Sequence, residues 1–175
     1  MSSESVLDEI LAFNREVLAQ ALHLLELHAL QPAASYAQGC GPHLRHVIEH
    51  YEALIHAAPG SAIAYDRRER DLPLQSDPQL ARRRLLALDA AIQAWNRPAS
   101  EPLTVLLRGR LDGRVELASP SSLARELMFL AGHAIHHYAL IASHASAQGL
   151  PLPEGFGKAP ATAHHQAHSA LASAA

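Results

Sequence analysis

The sequence predicts an all-α fold, a four-helix bundle with a small β-hairpin inserted before the last helix. Three observations predict it. Four stretches carry apolar residues at the 3.6-residue spacing of a helix buried along one side. The composition is 49% hydrophobic, rich in Ala and Leu and only 5% aromatic, which favours helix. The one clearly β-forming stretch is short and broken by Asp112-Gly113. The 175 residues suffice for one domain with a real core. The bundle is expected over 1–150, with the hairpin at about 103–118. A Pro/Gly-rich and then Ala/His-rich tail over 151–175 is expected to be partly ordered.

Helix 1 is predicted from about Ser3 to Leu30, with Leu7, Ile10, Leu11, Leu18, Ala21 and Leu25 on its apolar stripe and Gln31-Pro32 as its stop. Pro42 opens helix 2 at a favoured first-turn position, and Pro59-Gly60 follows its end. Leu44, Val47, Ile48, Tyr51, Leu54 and Ile55 form its buried stripe; Arg45, Glu49, Glu52 and His56 fall on the opposite, wet one. Ser61 to Gln75 reads as a polar connection, either a solvated loop or a charged rim facing a substrate. Helix 3 starts at Ser76-Asp77-Pro78, with either Ser76 or Asp77 as cap, and its seam is Ala81, Leu85, Leu88, Ile92 and Trp95. Asp-Gly between Thr104–Leu107 and Arg114–Leu117 is a hairpin signal. An isolated hairpin is barely stable, so this one needs the bundle or a partner chain beneath it. Pro120-Ser121-Ser122 caps helix 4, which buries Leu127, Leu130, Ala134, Tyr138, Ile141 and Ala145. In the tail, Phe156 is the expected anchor.

Charge and cysteine usage narrow the function. A net charge of −3 and a pI of about 6.5 offer no basic field for nucleic acid. The N-terminus shows no basic stretch followed by an apolar one, and no run reaches about 18 apolar residues, so neither a signal peptide nor a membrane span is expected. Cys40 is the single cysteine, so no disulfide can form within the chain. That suits a reducing cytoplasm.

The thirteen histidines hold the strongest functional signal. His133 and His137 are spaced i and i+4, so their rings share one face of helix 4 and can chelate one ion. The spacing lacks the Glu of a zincin protease. The chain has no Glu-x-x-His of a ferritin-like di-iron site. Helix 2 offers His43, His46 and His50 beside its apolar stripe. His50 lies nearer that stripe and deeper in the helix, which makes it the better third ligand, with His46 as the alternate.

These residues resemble the DinB/YfiT-like superfamily: His43-Leu44-Arg45-His46-Val47-Ile48-Glu49-His50 on one helix and His133-x-x-x-His137-Tyr138 on a later one. In that superfamily the helix-2 ligand follows apolar residues two, three and six positions before it. Ile48, Val47 and Leu44 meet this for His50. The resemblance implies an up-down-down-up bundle, a divalent metal, often zinc or nickel, and frequent homodimers. Its characterised relatives include thiol-dependent S-transferases and isomerases. The expectation is therefore a metal-dependent enzyme acting on a small-molecule substrate, with His50, His133 and His137 as ligands and a low-molecular-weight thiol as a second cofactor. Glu126, one heptad before His133, is expected either to orient a ligand imidazole or act as a base, or else to be a carboxylate favoured by the helix start. Arg45 and Tyr138 are expected to line the pocket. The competing expectation is a non-catalytic metal- or ligand-binding helical dimer.

Overall fold

The computed structural model describes residues 3–30 and 36–173. Helices α1 (Ser3–Leu30), α2 (Gly41–Ile55), α3 (Pro78–Gln93) and α4 (Leu123–Ala147) form the helical body. α1 and α2 each pack against both α3 and α4. The apolar stripes meet as the spacing requires: Leu18 and Leu24 of α1, Leu44 and Ile48 of α2, Leu85 and Ile92 of α3, and Leu127 and Leu130 of α4 are all buried. Asp77 settles the start of α3. Its Oδ1 accepts from the backbone N–H of Gln79 at 2.8 Å and of Leu80 at 3.0 Å, while Pro78 fills the first position, where no N–H is needed. Ser122 caps α4 by accepting from the Arg125 N–H. The expected Gln31-Pro32 stop lies outside the described residues.

The all-α expectation is overturned. Strands β2 (Pro102–Gly109) and β3 (Val115–Ser122) form the hairpin, antiparallel from Pro102↔Ser122 to Gly109↔Val115. A third strand, β1 (Ala62–Ala64), pairs parallel with Thr104–Leu106 of β2. The result is a three-stranded mixed sheet, and the chain holds a fifth helix, α5 (Pro160–Ser173). The physical reason is the open edge of β2: a two-stranded ribbon leaves its outer N–H and C=O groups unpaired, and β1 pairs them. β1 has three residues, too few to show a period of two, and only Ile63 is buried. β3 runs straight into α4, so the sheet reaches the body through a continuous backbone as well as through packing.

Two further expectations change with the connection from Ser61 to Gln75. It folds down over α2 as β1, 3-10 turns at Tyr65–Arg67 and Leu72–Gln75, and the chain between. Glu49 is consequently not on a wet face. It is 4% exposed, accepting from Arg68 Nε at 2.8 Å through Oε2 and from the Asp71 N–H at 2.8 Å through Oε1. Periodicity placed Glu49 opposite Leu44, but could not show that another segment covers that face. The start of α2 is held as tightly: a Cβ on Gly41 would lie 2.0 Å from the Gln75 carbonyl oxygen. Tyr36 OH also donates to the Leu74 carbonyl at 2.8 Å.

The tail is anchored at Phe156, whose ring stacks on Tyr138 with centroids 5.5 Å apart. Beside it, the Gly157 N–H donates to Gln20 Oε1 at 3.0 Å. No described helix is long and apolar enough to cross a membrane.

Candidate metal centre

α2 and α4 lie side by side and antiparallel, because partners ascend one helix while descending the other. His43 meets His137, and His46 meets His133. Helical spacing at i, i+3/i+4 and i+7 puts His43, His46 and His50 on one side of α2, facing the His133/His137 pair. His46, His50 and His133 are the closest group: each offers one ligand nitrogen, and the three lie within 4.8 Å of one another. Nitrogens bound to one tetrahedral zinc at about 2.0 Å lie roughly 3.3 Å apart. The His46 Nε2 to His133 Nε2 separation of 2.9 Å is near that value.

Burial keeps these rings neutral, as ligation requires. Desolvation is the largest cause throughout, and neighbouring imidazoles add to it. It pulls His46 down to about 2, His50 to about 4 and His137 to about 4. His133 and His43 are lowered for the same reason.

Hydrogen bonds set the tautomers. His50 Nδ1–H donates to the His46 carbonyl at 2.7 Å, so the lone pair is on Nε2, the usual way a ligand imidazole is oriented. His46 is held the other way. Arg68 Nη2, which can only donate, sits on His46 Nδ1. Neutral His46 therefore carries its proton on Nε2 and donates it to the lone pair of His133 Nε2. His50 and His133 thus present lone pairs, whereas His46 has to move its proton to Nδ1 and release Arg68 before it can ligate. The donor set fits a divalent ion of imidazole preference, zinc or nickel among them.

The expected residues fall in three places. His50, His133 and the alternate His46 come together. His137 adjoins them, its ring 4.5 Å from that of His46 and 4.7 Å from that of His133. Its Nδ1, however, faces His43 Nδ1 at 3.0 Å. Glu126 is fully buried and touches no imidazole. It accepts from Tyr65 OH at 2.9 Å, from Ser121 Oγ at 2.5 Å and from Arg125 Nη1 at 2.8 Å. Tyr65 in turn stacks on His50, 5.3 Å between centroids and 7° between planes, so Glu126 reaches the centre through a ring rather than by contact. Arg45 turns to Gln75 Oε1 at 3.0 Å, and Tyr138 is wholly buried in the core. Cys40 has a close partner: His28 Nε2 lies 3.0 Å from its Sγ. Both are buried, and burial pushes the thiol up to about 11.

Tyr65, Arg68 and Phe129 escaped the sequence reading. Phe129 stacks on His133, 5.4 Å between centroids, and with Tyr65 walls the centre off from a cleft between the sheet and the start of α4. That cleft, of about 370 Å³, is lined by Val105, Leu107, Leu117 and Pro120 as well as by Arg125 and Glu126. The one available signal for Tyr65 and Arg68 was the reading of the 61–75 connection as a charged rim. For Phe129 it was the i+4 spacing to His133.

No family model and no solved structure matches the chain. It is similar to FK506-binding protein 5 of Rhizopus delemar, with 33% identity over 123 residues. That match takes in 65% of this chain and 32% of the relative. The chain thus spans about a third of the curated relative it matches, and the relative's name describes the longer protein.

Proposed function

We propose that the chain binds a divalent metal ion, zinc or nickel, at His46, His50 and His133, and uses it as a metal-dependent enzyme on a small molecule. One observation carries the reading: three neutral imidazoles from two helices converge within 4.8 Å, with no fourth protein ligand in that group. Three ligands and an open position are the pattern of catalytic rather than structural ions. When bound, the ion would supply Lewis acidity and lower the pKa of a thiol or water. The protein's own residues do the rest. His50 is oriented by its bond to the His46 carbonyl. Tyr65 and Phe129 shield the centre on the cleft side. Tyr65 OH keeps its proton, its pKa raised by burial and by Glu126, and donates it to the Glu126 carboxylate.

The resemblance to the DinB/YfiT-like superfamily supports a three-histidine centre between these two helices, though with His137 in the place of His46, and adds a low-molecular-weight thiol as co-substrate and a homodimer; the single cysteine suits a cytoplasmic location. Elemental analysis of protein made without an affinity tag tests it. His50→Ala and His133→Ala are each expected to lose the tightly held ion, while the exposed His136→Ala keeps it. Retention by His50→Ala and His133→Ala alike would refute the centre.

A further inference from the structure

The three-histidine centre leaves part of the imidazole array unused. His43 and His137 are half-buried, one from each helix, with Nδ1 atoms 3.0 Å apart. At that separation one ring must donate its N–H to the lone pair of the other. The ring of exposed His144 lies 6.1 Å from that of His43. Its Cβ is packed against the turn before α2: a Cβ on Gly39 would sit 3.3 Å from it. Along the α2/α4 seam His144 is exposed, His43, His137, His46 and His133 are half-buried, and His50 is buried at 5%. The far end is closed by Tyr65, Phe129 and buried Glu126. An ion approaching along the seam meets the His43–His137 pair first.

We infer that His43 and His137 form a second, outer divalent-cation station, with His144 at its mouth, through which the inner centre is loaded. This rests on the proposed inner site for its role, though not for its existence. Two imidazoles and solvent hold an ion more weakly than three imidazoles do, so the outer station passes the ion inward along the ring contact between His137 and His46. His137 then belongs to the outer pair rather than to the inner ligand set.

The test is a zinc titration of tag-free, chelator-stripped full-length protein against a chromophoric competitor, with stopped-flow loading. The wild type is expected to take up two equivalents, one tight and one weak. His43→Ala/His137→Ala is expected to lose the weak equivalent, keep the tight one and load more slowly. A His46→Ala/His50→Ala/His133→Ala variant is expected to lose the tight equivalent and keep the weak one. Circular dichroism checks folding, and His43→Gln/His137→Gln serves if the alanine pair unfolds. Unchanged stoichiometry and loading rate in the His43/His137 variants would overturn the outer station. Loss of the tight equivalent in those variants would overturn it too, by placing His137 in the inner set. Tight binding that survives in the triple variant would instead refute the inner centre, leaving the outer station to its own arm.

Discussion

Arg68 is the residue whose removal should strengthen metal binding. Its Nη2 donates to His46 Nδ1 and its Nε to Glu49 Oε2, and the pair is well buried, with side-chain exposures of 15% and 4%. An ion that recruits His46 must break the Arg68–His46 bond, because ligation through Nε2 places the ring proton on Nδ1, opposite a donor. A hydrogen bond to a charged group is worth about 1.5–3 kcal/mol. At about 1.4 kcal/mol per factor of ten, relieving it should tighten binding by between about tenfold and about 150-fold. Removing Arg68 alone would leave the buried Glu49 carboxylate with only the Asp71 N–H and the longer Arg45 Nε contact at 3.7 Å, and breaking a buried pair costs up to about 3–5 kcal/mol. The informative variant is therefore Arg68→Met with Glu49→Gln, whose amide oxygen still accepts from the Asp71 N–H. Competitive zinc titration at constant pH reads the affinity, with the melting temperature of the metal-free protein as control. The gain should vanish in a His46→Ala background. Affinity no tighter than wild type, or a gain that survives without His46, would refute the competition.

Three other outcomes are expected. His46, His50 and His137 are pulled below the ordinary imidazole range, so the unfolded chain binds more protons than the folded one from about pH 6.5 down to about 4 for His50 and His137 and to about 2 for His46. Stability is then full above about pH 6.5 and falls as the pH drops through that window. Melting temperatures of the metal-free protein that stay flat from pH 7 to 4.5 would contradict the neutral array. Glu126→Gln should leave zinc affinity unchanged, since Glu126 touches no imidazole, while Glu126→Ala should destabilise by about 1–3 kcal/mol by stranding buried donors; chemical denaturation compares the two. Gly157 has φ 66°, and an added Cβ would lie 2.5 Å from the Ala139 nitrogen. Gly157→Ala should therefore lose about 1–3 kcal/mol, read as a lowered thermal midpoint; an unchanged midpoint would show that the tail is not docked there.

The sequence by itself determined whatever depends on local periodicity and local chemistry. Apolar spacing located α1 to α4 and their buried faces. Ser76-Asp77-Pro78 and Pro120-Ser121-Ser122 marked two helix starts, Asp112-Gly113 marked the hairpin, and the i, i+4 spacing of His133 and His137 put both rings on one side of α4. Only the tertiary structure decided what faces those elements. The antiparallel match of α2 to α4 placed His46 as well as His50 beside His133 and turned His137 toward His43; helical phase alone ranks rings on one helix without reference to the partner's register. β1 became a strand because β2 offered it an open edge, and Glu49 became buried because residues 65–71 folded over it. Both events join segments far apart in sequence, and no period within either segment encodes them. Glu126 shows the same division. Its place on the inner face of α4 follows from its spacing to His133, while its partners, Tyr65 from the connection and Ser121 from β3, are contacts that only the folded chain brings within hydrogen-bond reach.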